Sequence, residues 1–213
     1  MNHRGDINVD AVAVGTPMAC WSCGGPVAPE ALFCGTCRVV QPPRAIDHFA
    51  RLGLPRGFAI DPRALERRYF ALQRQLHPDR FATRGPRERA ISQSQAVSLN
   101  DAYEALRSPL PRAAYLLALA GLGIDDERTI RDPELLVEQM ERRETLDGAR
   151  DAAGVETCIG AAVADAMSLE IDLSEAFAAG DLARARRAAL RLRYLQKLID
   201  EARARHARLL GEG

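Results

Sequence analysis

The sequence predicts an all-α protein whose helices follow a small cysteine-containing module. Long stretches rich in Ala, Leu, Arg and Glu favour helix after about residue 60. Four of the five cysteines form two close pairs near the N-terminus. The 213 residues suffice for one large or two small domains with a short appendage.

Composition and charge exclude several classes of protein. The formal net charge is zero, so no global field draws the chain to nucleic acid or to a membrane. No apolar run comes close to the roughly 20 residues that span a bilayer. Residues 1–18 resemble neither a secretory signal nor an arginine-rich presequence, and we interpret them as a flexible tail. A cytoplasmic protein is therefore expected.

The paired cysteines predict a metal site in a module spanning residues 19–41. Four thiolates favour tetrahedral zinc with bonds of about 2.3 Å, although iron can occupy the same geometry. The module is too short to build its own core, so the metal would supply much of its folding energy. All four ligand positions are filled, which indicates a structural site. The predicted ligands are Cys20, Cys23, Cys34 and Cys37.

Two antiparallel helices are predicted next, after a short helix over 47–54. Asp61 can cap the first long helix and Pro62 suits its first position. Pro78 disfavours helical geometry at the preceding residue, so that helix should end near His77. The second begins near Arg87. The apolar face of the first carries Leu65, Tyr69, Leu72 and Leu76, and the opposite face carries Arg63, Arg67 and Arg74.

The remaining chain predicts a buried helix over 113–120 and then three helices. They span about 133–146, 152–179 and 182–210, and we expect an antiparallel three-helix bundle. Cys158 is expected to be a buried, inert thiol. The apolar seam of the last helix consists of Leu192, Leu195, Ile199, Ala202, His206 and Leu209.

The helical hairpin with His-Pro-Asp at its junction resembles the J-domain, the module with which J-proteins stimulate a heat-shock ATPase chaperone. The tripeptide follows an amphipathic helix with an arginine stripe, which makes the match much more specific than three residues alone. The resemblance implies a chaperone-binding surface formed by His77, Pro78, Asp79, Arg63, Arg67 and Arg74.

The order of the J-domain and the three-helix bundle resembles that of one J-protein family, HscB, the co-chaperones of iron–sulfur cluster biogenesis. The resemblance covers about residue 20 to the C-terminus and rests on LQRQLHPDRF (72–81), LRSPLPRA (106–113) and segment 136–146. The cysteine module resembles the N-terminal zinc domain of eukaryotic and some bacterial members, and the missing presequence favours a bacterial protein. The implied domains are a tail at 1–18, the zinc module at 19–41, a J-domain with connecting helix at 44–121 and the bundle at 132–213.

In that family the bundle binds an iron–sulfur scaffold protein of the IscU type, and the J-domain acts on a chaperone of the DnaK/HscA type. Family members often carry further acidic residues where this chain has Thr145 and Gly148. The neutral net charge argues against a nucleic-acid or membrane partner, and the sequence leaves homodimer formation open. The implied scaffold-binding residues are Leu136, Val137, Met140, Glu141, Glu144 and Tyr194.

Three other functions fit parts of the sequence. A general protein-folding J-protein would bind many unfolded clients, but the compact bundle and the absence of a Gly/Phe-rich linker argue against it. A zinc-ribbon nucleic-acid binder is disfavoured because no Lys or Arg lies between Cys20 and Cys37. A hydrolase using His77 and Asp79 lacks a nucleophile motif and a phosphate loop. We therefore predict a binding protein rather than an enzyme.

Overall fold

The computed structural model describes residues 17–124 and 133–211. The chain divides into two compact units, one from residues 1–55 and 63–103 and the other from residues 56–62 and 104–213. Most of the expected tail, at residues 1–16, lies outside the described residues. The four domain boundaries inferred from the sequence stay a prediction.

The first unit begins with the cysteine module, which contains two short antiparallel strands. Strand β1 is Met18–Ala19 and strand β2 is Pro26–Val27, with Met18 opposite Val27. A single bridge between Phe33 and Val40 closes the second half of the module. The sequence did not predict these strands, because two residues are too few to show alternation of apolar and polar side chains.

A short helix and a long helical hairpin complete this unit. Helix α1 is His48–Leu52, capped by the Asp47 carboxylate and ended by Gly53 in the left-handed conformation. Helices α2 (Pro62–Leu76) and α3 (Pro86–Arg107) begin and end close to the predicted positions.

Contacts along α2 and α3 show that the two helices run antiparallel. The rings of Tyr69 and Tyr103 stack with centroids 4.1 Å apart, and the Tyr69 hydroxyl donates to Asn100 Oδ1 at 2.9 Å. Nearer the junction, the Ser92 hydroxyl donates to the Leu76 carbonyl at 2.8 Å. The predicted hairpin is therefore confirmed.

Helix α4 differs from its prediction in length and burial. It spans Pro109–Leu119 and begins four residues before the predicted start, because Ser108 is its N-cap and prolines suit the first turn. Only Arg112, Ala113 and Leu117 are buried, and Leu119 is exposed. The expectation of a wholly buried helix is wrong, since one face of α4 is open to solvent.

The second unit ends in the predicted three-helix bundle. Helix α5 is Pro133–Gly148, α6 is Ala152–Ala178 and α7 is Leu182–Gly211. Helices α6 and α7 pack along their length through small residues, which bring the two backbones close. The small buried residues are Ala162, Ala166, Ala176, Ala185, Ala188 and Ala189. The all-α fold class is thereby confirmed.

Two local expectations about α6 need correction. Cys158 is only half-buried, because it packs at the edge of a minor cluster around Leu146, Val155 and Ala202. By length and composition α6 could cross a bilayer, contrary to the expectation that no segment approaches that character. The buried positions of α6, which include Val155 and Leu173, pack within the second unit, so we interpret it as a bundle helix.

Candidate metal centre and docking surfaces

The four predicted cysteine ligands converge on one point. The sulfur atoms of Cys20, Cys23, Cys34 and Cys37 all lie within 4.8 Å of one another. The Cys20–Cys37 and Cys23–Cys34 sulfur pairs are each 3.7 Å apart. A regular tetrahedron with metal–sulfur bonds of about 2.3 Å has edges of about 3.8 Å. The donor set and its spacing therefore fit a tetrahedral ion such as zinc.

The electrostatics of these thiols indicate a need for a cation. Burial opposes ionisation of Cys20, but the backbone N–H groups of Cys23 and Ser22 outweigh it and lower the thiol's pKa to about 6. The pKa of Cys37 rises to about 12: the backbone N–H of Val39 favours ionisation, but burial and the other three thiols oppose it more strongly. Four adjacent thiolates repel one another, and a divalent ion removes that repulsion.

The module is fixed to helix α3 through a buried glutamine relay. The Gln41 amide donates to Cys20 Sγ at 3.2 Å, and Gln95 on α3 donates to the Gln41 carbonyl at 2.8 Å. Trp21 donates from its indole nitrogen to the Val40 carbonyl at 2.7 Å, and the Arg87 guanidinium lies 4.3 Å from its ring centroid. The predicted metal site is thus connected to the helical hairpin of the same unit.

The glutamine relay and the buried Arg112 were not predicted from the sequence. Gln41 and Gln95 look like surface residues in the sequence, and only their burial in the fold gives them a role. Arg112 donates to the carbonyls of Leu106 and Phe58, each at 2.8 Å. Burial lowers the pKa of its guanidinium, although Glu170 opposes this shift. The one signal for Arg112 in the sequence was its charge within the apolar segment that forms α4.

His77, Pro78 and Asp79 lie at the tip of the hairpin, in and just before a short 3₁₀ helix over Pro78–Phe81. His77 Nδ1 lies 3.3 Å from the Asp79 backbone nitrogen and 3.4 Å from Asp79 Oδ2. The His77 side chain is 56% exposed and that of Asp79 is 90% exposed. Phe81 is buried and anchors the turn. The turn therefore presents an imidazole and a carboxylate together to solvent.

The basic residues predicted on α2 are all on its surface. Arg63, Arg67 and Arg74 are exposed, whereas Leu65 and Leu76 on the other side of the helix are buried. Tyr69 and Leu72 are half-buried, so the predicted apolar face is correct in position but only partly covered. The arginines form a positively charged stripe that leads toward the His-Pro-Asp turn.

Helix α5 turns three large apolar side chains away from the bundle core. Leu136, Val137 and Met140 are 44%, 53% and 63% exposed, whereas Leu135 and Leu146 are buried. Glu141 and Glu144 are exposed as well. Leu136 and Met140 are therefore not part of the buried bundle core.

Tyr194 on α7 differs from the other predicted scaffold residues. It is half-buried and packs against the bundle core. It also lines a groove between α5 and α7 together with Leu135 and Gln139. Its ring is partly available at the groove surface.

Comparisons with known proteins agree with this arrangement. The family model for the HSCB C-terminal oligomerisation domain matches residues 131–203. The iron-sulfur cluster co-chaperone protein HscB of Mus musculus is 34% identical over 189 residues, covering 85% of this chain and 80% of that protein. The chain belongs to the HscB family of co-chaperones.

Two further relatives support membership of the HscB family. The co-chaperone protein HscB homolog of Bordetella petrii is 46% identical over 123 residues, covering 57% of this chain and 72% of that protein. The crystal structure of human HscB superposes with a TM-score of 0.81 at 32% identity, covering 88% of this chain and 98% of that one. The predicted family and fold are thus confirmed, whereas the roles of individual residues stay predictions.

Proposed function

We propose that this chain is a co-chaperone of iron–sulfur cluster biogenesis that carries a scaffold protein to an ATPase chaperone. The scaffold is of the IscU type and the chaperone of the DnaK/HscA type, as family membership suggests. The observation that carries the proposal is the exposed His-Pro-Asp turn at the tip of a hairpin with a basic α2. The chain would act by binding and would do no chemistry itself.

The chaperone contact is proposed at the tripeptide. His77 and Asp79 are exposed, and Asp79 has no ion pair with an arginine or lysine among the described residues. Arg63, Arg67 and Arg74 would attract an acidic surface and raise the rate of encounter. Asp79 would then favour one conformational state of the chaperone, because its contacts with that state are stronger than its contacts with the other.

The scaffold contact is proposed on the outer face of α5. Leu136, Val137 and Met140 supply an apolar patch, and Glu141 and Glu144 supply charge beside it. Exposed apolar residues clustered on one helix face commonly mark a protein-binding surface. Tyr194 would contribute an aromatic contact from the groove beside α5.

Delivery follows from holding both partners in one assembly. The bundle would bind the scaffold while the hairpin docks on the ATP-bound chaperone, so the scaffold is held at a high effective concentration near the chaperone's peptide site. The metal, proposed to be zinc, would have a structural role through Cys20, Cys23, Cys34 and Cys37.

The experiment is steady-state ATP hydrolysis by the cognate chaperone with this protein at a concentration below saturation. We expect added scaffold and this protein together to stimulate hydrolysis more than the sum of their separate effects, because each strengthens recruitment of the other. If stimulation of ATP hydrolysis is merely additive at concentrations where a pull-down detects all three proteins, delivery of the scaffold to the chaperone is contradicted. A glutathione S-transferase of similar size would replace the scaffold as the control.

A further inference from the structure

The two cysteine turns of the module share a backbone hydrogen bond but differ in the residue that follows the second cysteine. The Gly24 N–H donates to the Cys20 carbonyl at 3.0 Å, and the Arg38 N–H donates to the Cys34 carbonyl at 3.0 Å. Both residues are left-handed, with φ of 74° at Gly24 and 63° at Arg38. Arginine therefore occupies the position that the first turn gives to glycine.

This arginine is held in a strained conformation. A Cβ makes the left-handed region unfavourable, whereas glycine adopts it freely. Among the described residues Arg38 is the only non-glycine residue with a positive φ. Strain of this kind persists only where the surrounding structure enforces it, here through the turn around Cys34, and the outlier raises the question of what the guanidinium does.

The Arg38 side chain lines a cleft between the cysteine module and the His-Pro-Asp turn of the same unit. The cleft has a volume of about 300 Å³. Its walls include Arg80, which directly follows Asp79, and Arg84, which precedes α3. Phe33 and Phe81 add aromatic surface, with Phe81 buried beneath it. An occupant would therefore meet three guanidinium groups and an apolar floor.

The charges of this cleft are unbalanced. Among the described residues no carboxylate forms an ion pair with Arg38, Arg80 or Arg84, and Glu88 is the one acidic residue in the lining. Bundle arginines behave differently, since Arg142 is paired with Asp165 at 2.6 Å. Positive charge concentrated in a concave site attracts anions, and guanidinium groups bind carboxylates in pairs of hydrogen bonds.

We propose that this cleft docks an acidic peptide segment of the ATPase chaperone, with carboxylates on the arginines and an apolar side chain on the phenylalanines. The proposal rests on the proposed function, because Arg80 is adjacent to Asp79 and the cleft continues the surface that would meet the chaperone. It gives the cysteine module a direct part in docking through Arg38, beyond its structural role.

The Arg38→Gly variant separates the side chain from the fold. It removes the guanidinium and relieves the left-handed strain, so the melting temperature and the metal content should be unchanged or higher. Affinity for the ATP-bound chaperone should fall about tenfold, with a weaker dependence on salt. Arg38→Lys keeps the positive charge, so its affinity for the chaperone should lie between those of the parent protein and of Arg38→Gly. Arg89→Ala removes an exposed α3 arginine outside the cleft and is the matched control, with no expected change.

Binding is measured by titrating labelled chaperone at two salt concentrations. Unchanged affinity in both Arg38→Gly and Arg84→Ala would overturn the proposal. If Arg38→Gly loses metal, Arg84→Ala decides, because Arg84 lies outside the cysteine module and is not a predicted metal ligand. If Asp79→Asn loses stimulation while the cleft variants keep full affinity for the chaperone, the cleft proposal is refuted and the proposed function stands. Weakened binding in the cleft variants with full stimulation by Asp79→Asn would support the cleft and contradict the role proposed for the His-Pro-Asp turn.

A nucleic-acid phosphate backbone is the other anion that such a cleft could attract. The same variants are titrated with a single-stranded DNA oligonucleotide of about 20 nucleotides, since phosphate contacts show steep salt dependence. Oligonucleotide binding that falls in Arg38→Gly while chaperone binding is unchanged would overturn the proposal. We expect no measurable oligonucleotide binding by either the parent protein or the variant.

Discussion

The cysteine module and the three-helix bundle are stabilised in opposite ways. The apolar cluster of the module contains only three buried residues, Cys20, Val27 and Cys34, two of which are predicted metal ligands. The main cluster of the second unit draws on α4, α5, α6 and α7 and includes Leu173, Leu190 and Leu192. We therefore expect the module to depend on a bound metal, whereas the bundle depends on packing.

This difference affects what each region can expose. A packed bundle can tolerate large apolar residues on its outside, as α5 does at Leu136, Val137 and Met140. The module has little apolar surface to spare, and its exposed features are charges and turns such as Arg38. We therefore expect apolar docking on the bundle and electrostatic docking on the first unit.

Removing metal ligands should give the largest effect. In Cys20→Ser/Cys34→Ser the module should lose its metal and unfold, because structural zinc contributes on the order of 10–16 kcal/mol of apparent binding free energy in small zinc modules. The helices should persist because their cores lie elsewhere. Trp21 is the only tryptophan in the sequence, so its fluorescence reports the module while circular dichroism at 222 nm reports the helices.

Elemental analysis measures the metal in the same samples, with Cys158→Ser as the matched cysteine control. Metal content unchanged by the double substitution would refute the tetracysteine site. A parallel collapse of the helical signal would refute the claim that the two regions are stabilised separately.

A cavity in the bundle should have the next largest effect. Leu192→Ala removes a fully buried side chain, and we expect the free energy of unfolding to fall by about 2–5 kcal/mol. Leu210→Ala is the control, since Leu210 on the same helix is 64% exposed. Urea denaturation followed by circular dichroism measures both. Equal losses in the two variants would mean that the core assignment is wrong.

Truncating the outer face of α5 should weaken scaffold binding without unfolding the bundle. Leu136→Ala/Met140→Ala should cost about 1–4 kcal/mol of binding free energy if the pair is a hot spot. Met167→Ala/Ile171→Ala is a closely matched control, because these α6 residues are 62% and 63% exposed. Isothermal titration with purified scaffold measures both variants. A similar loss in the control pair would contradict a scaffold site centred on α5.

Loss of one basic residue on α2 should have the smallest effect. Arg74→Ala removes an exposed charge, and exposed charges contribute about 0.2–1 kcal/mol and are screened by salt. The association rate with the chaperone should fall at low ionic strength and match the parent protein near 0.5 M salt. Stopped-flow mixing measures this rate, and a loss that persists at high salt would indicate a direct contact instead of steering.

The sequence predicted periodic and motif-bearing regions well, because helical spacing and paired cysteines are local signals. The bounds of α2, α3 and the bundle helices followed from proline caps and apolar repeats. Burial was harder to predict, since it depends on which elements meet. The burial of Cys158 and of α4 was misjudged for this reason, and Gln41 and Gln95 acquired a role only through a contact spanning 54 residues.

The most direct test of the account is ATP hydrolysis by the cognate chaperone with Asp79→Asn protein and scaffold present. This substitution preserves shape and removes the charge of a 90% exposed side chain, so the melting temperature and scaffold affinity should not change. His77→Gln provides a second substitution in the same turn. We predict that either variant binds scaffold normally and fails to stimulate hydrolysis. Full stimulation by Asp79→Asn would contradict the role of the His-Pro-Asp turn in this protein.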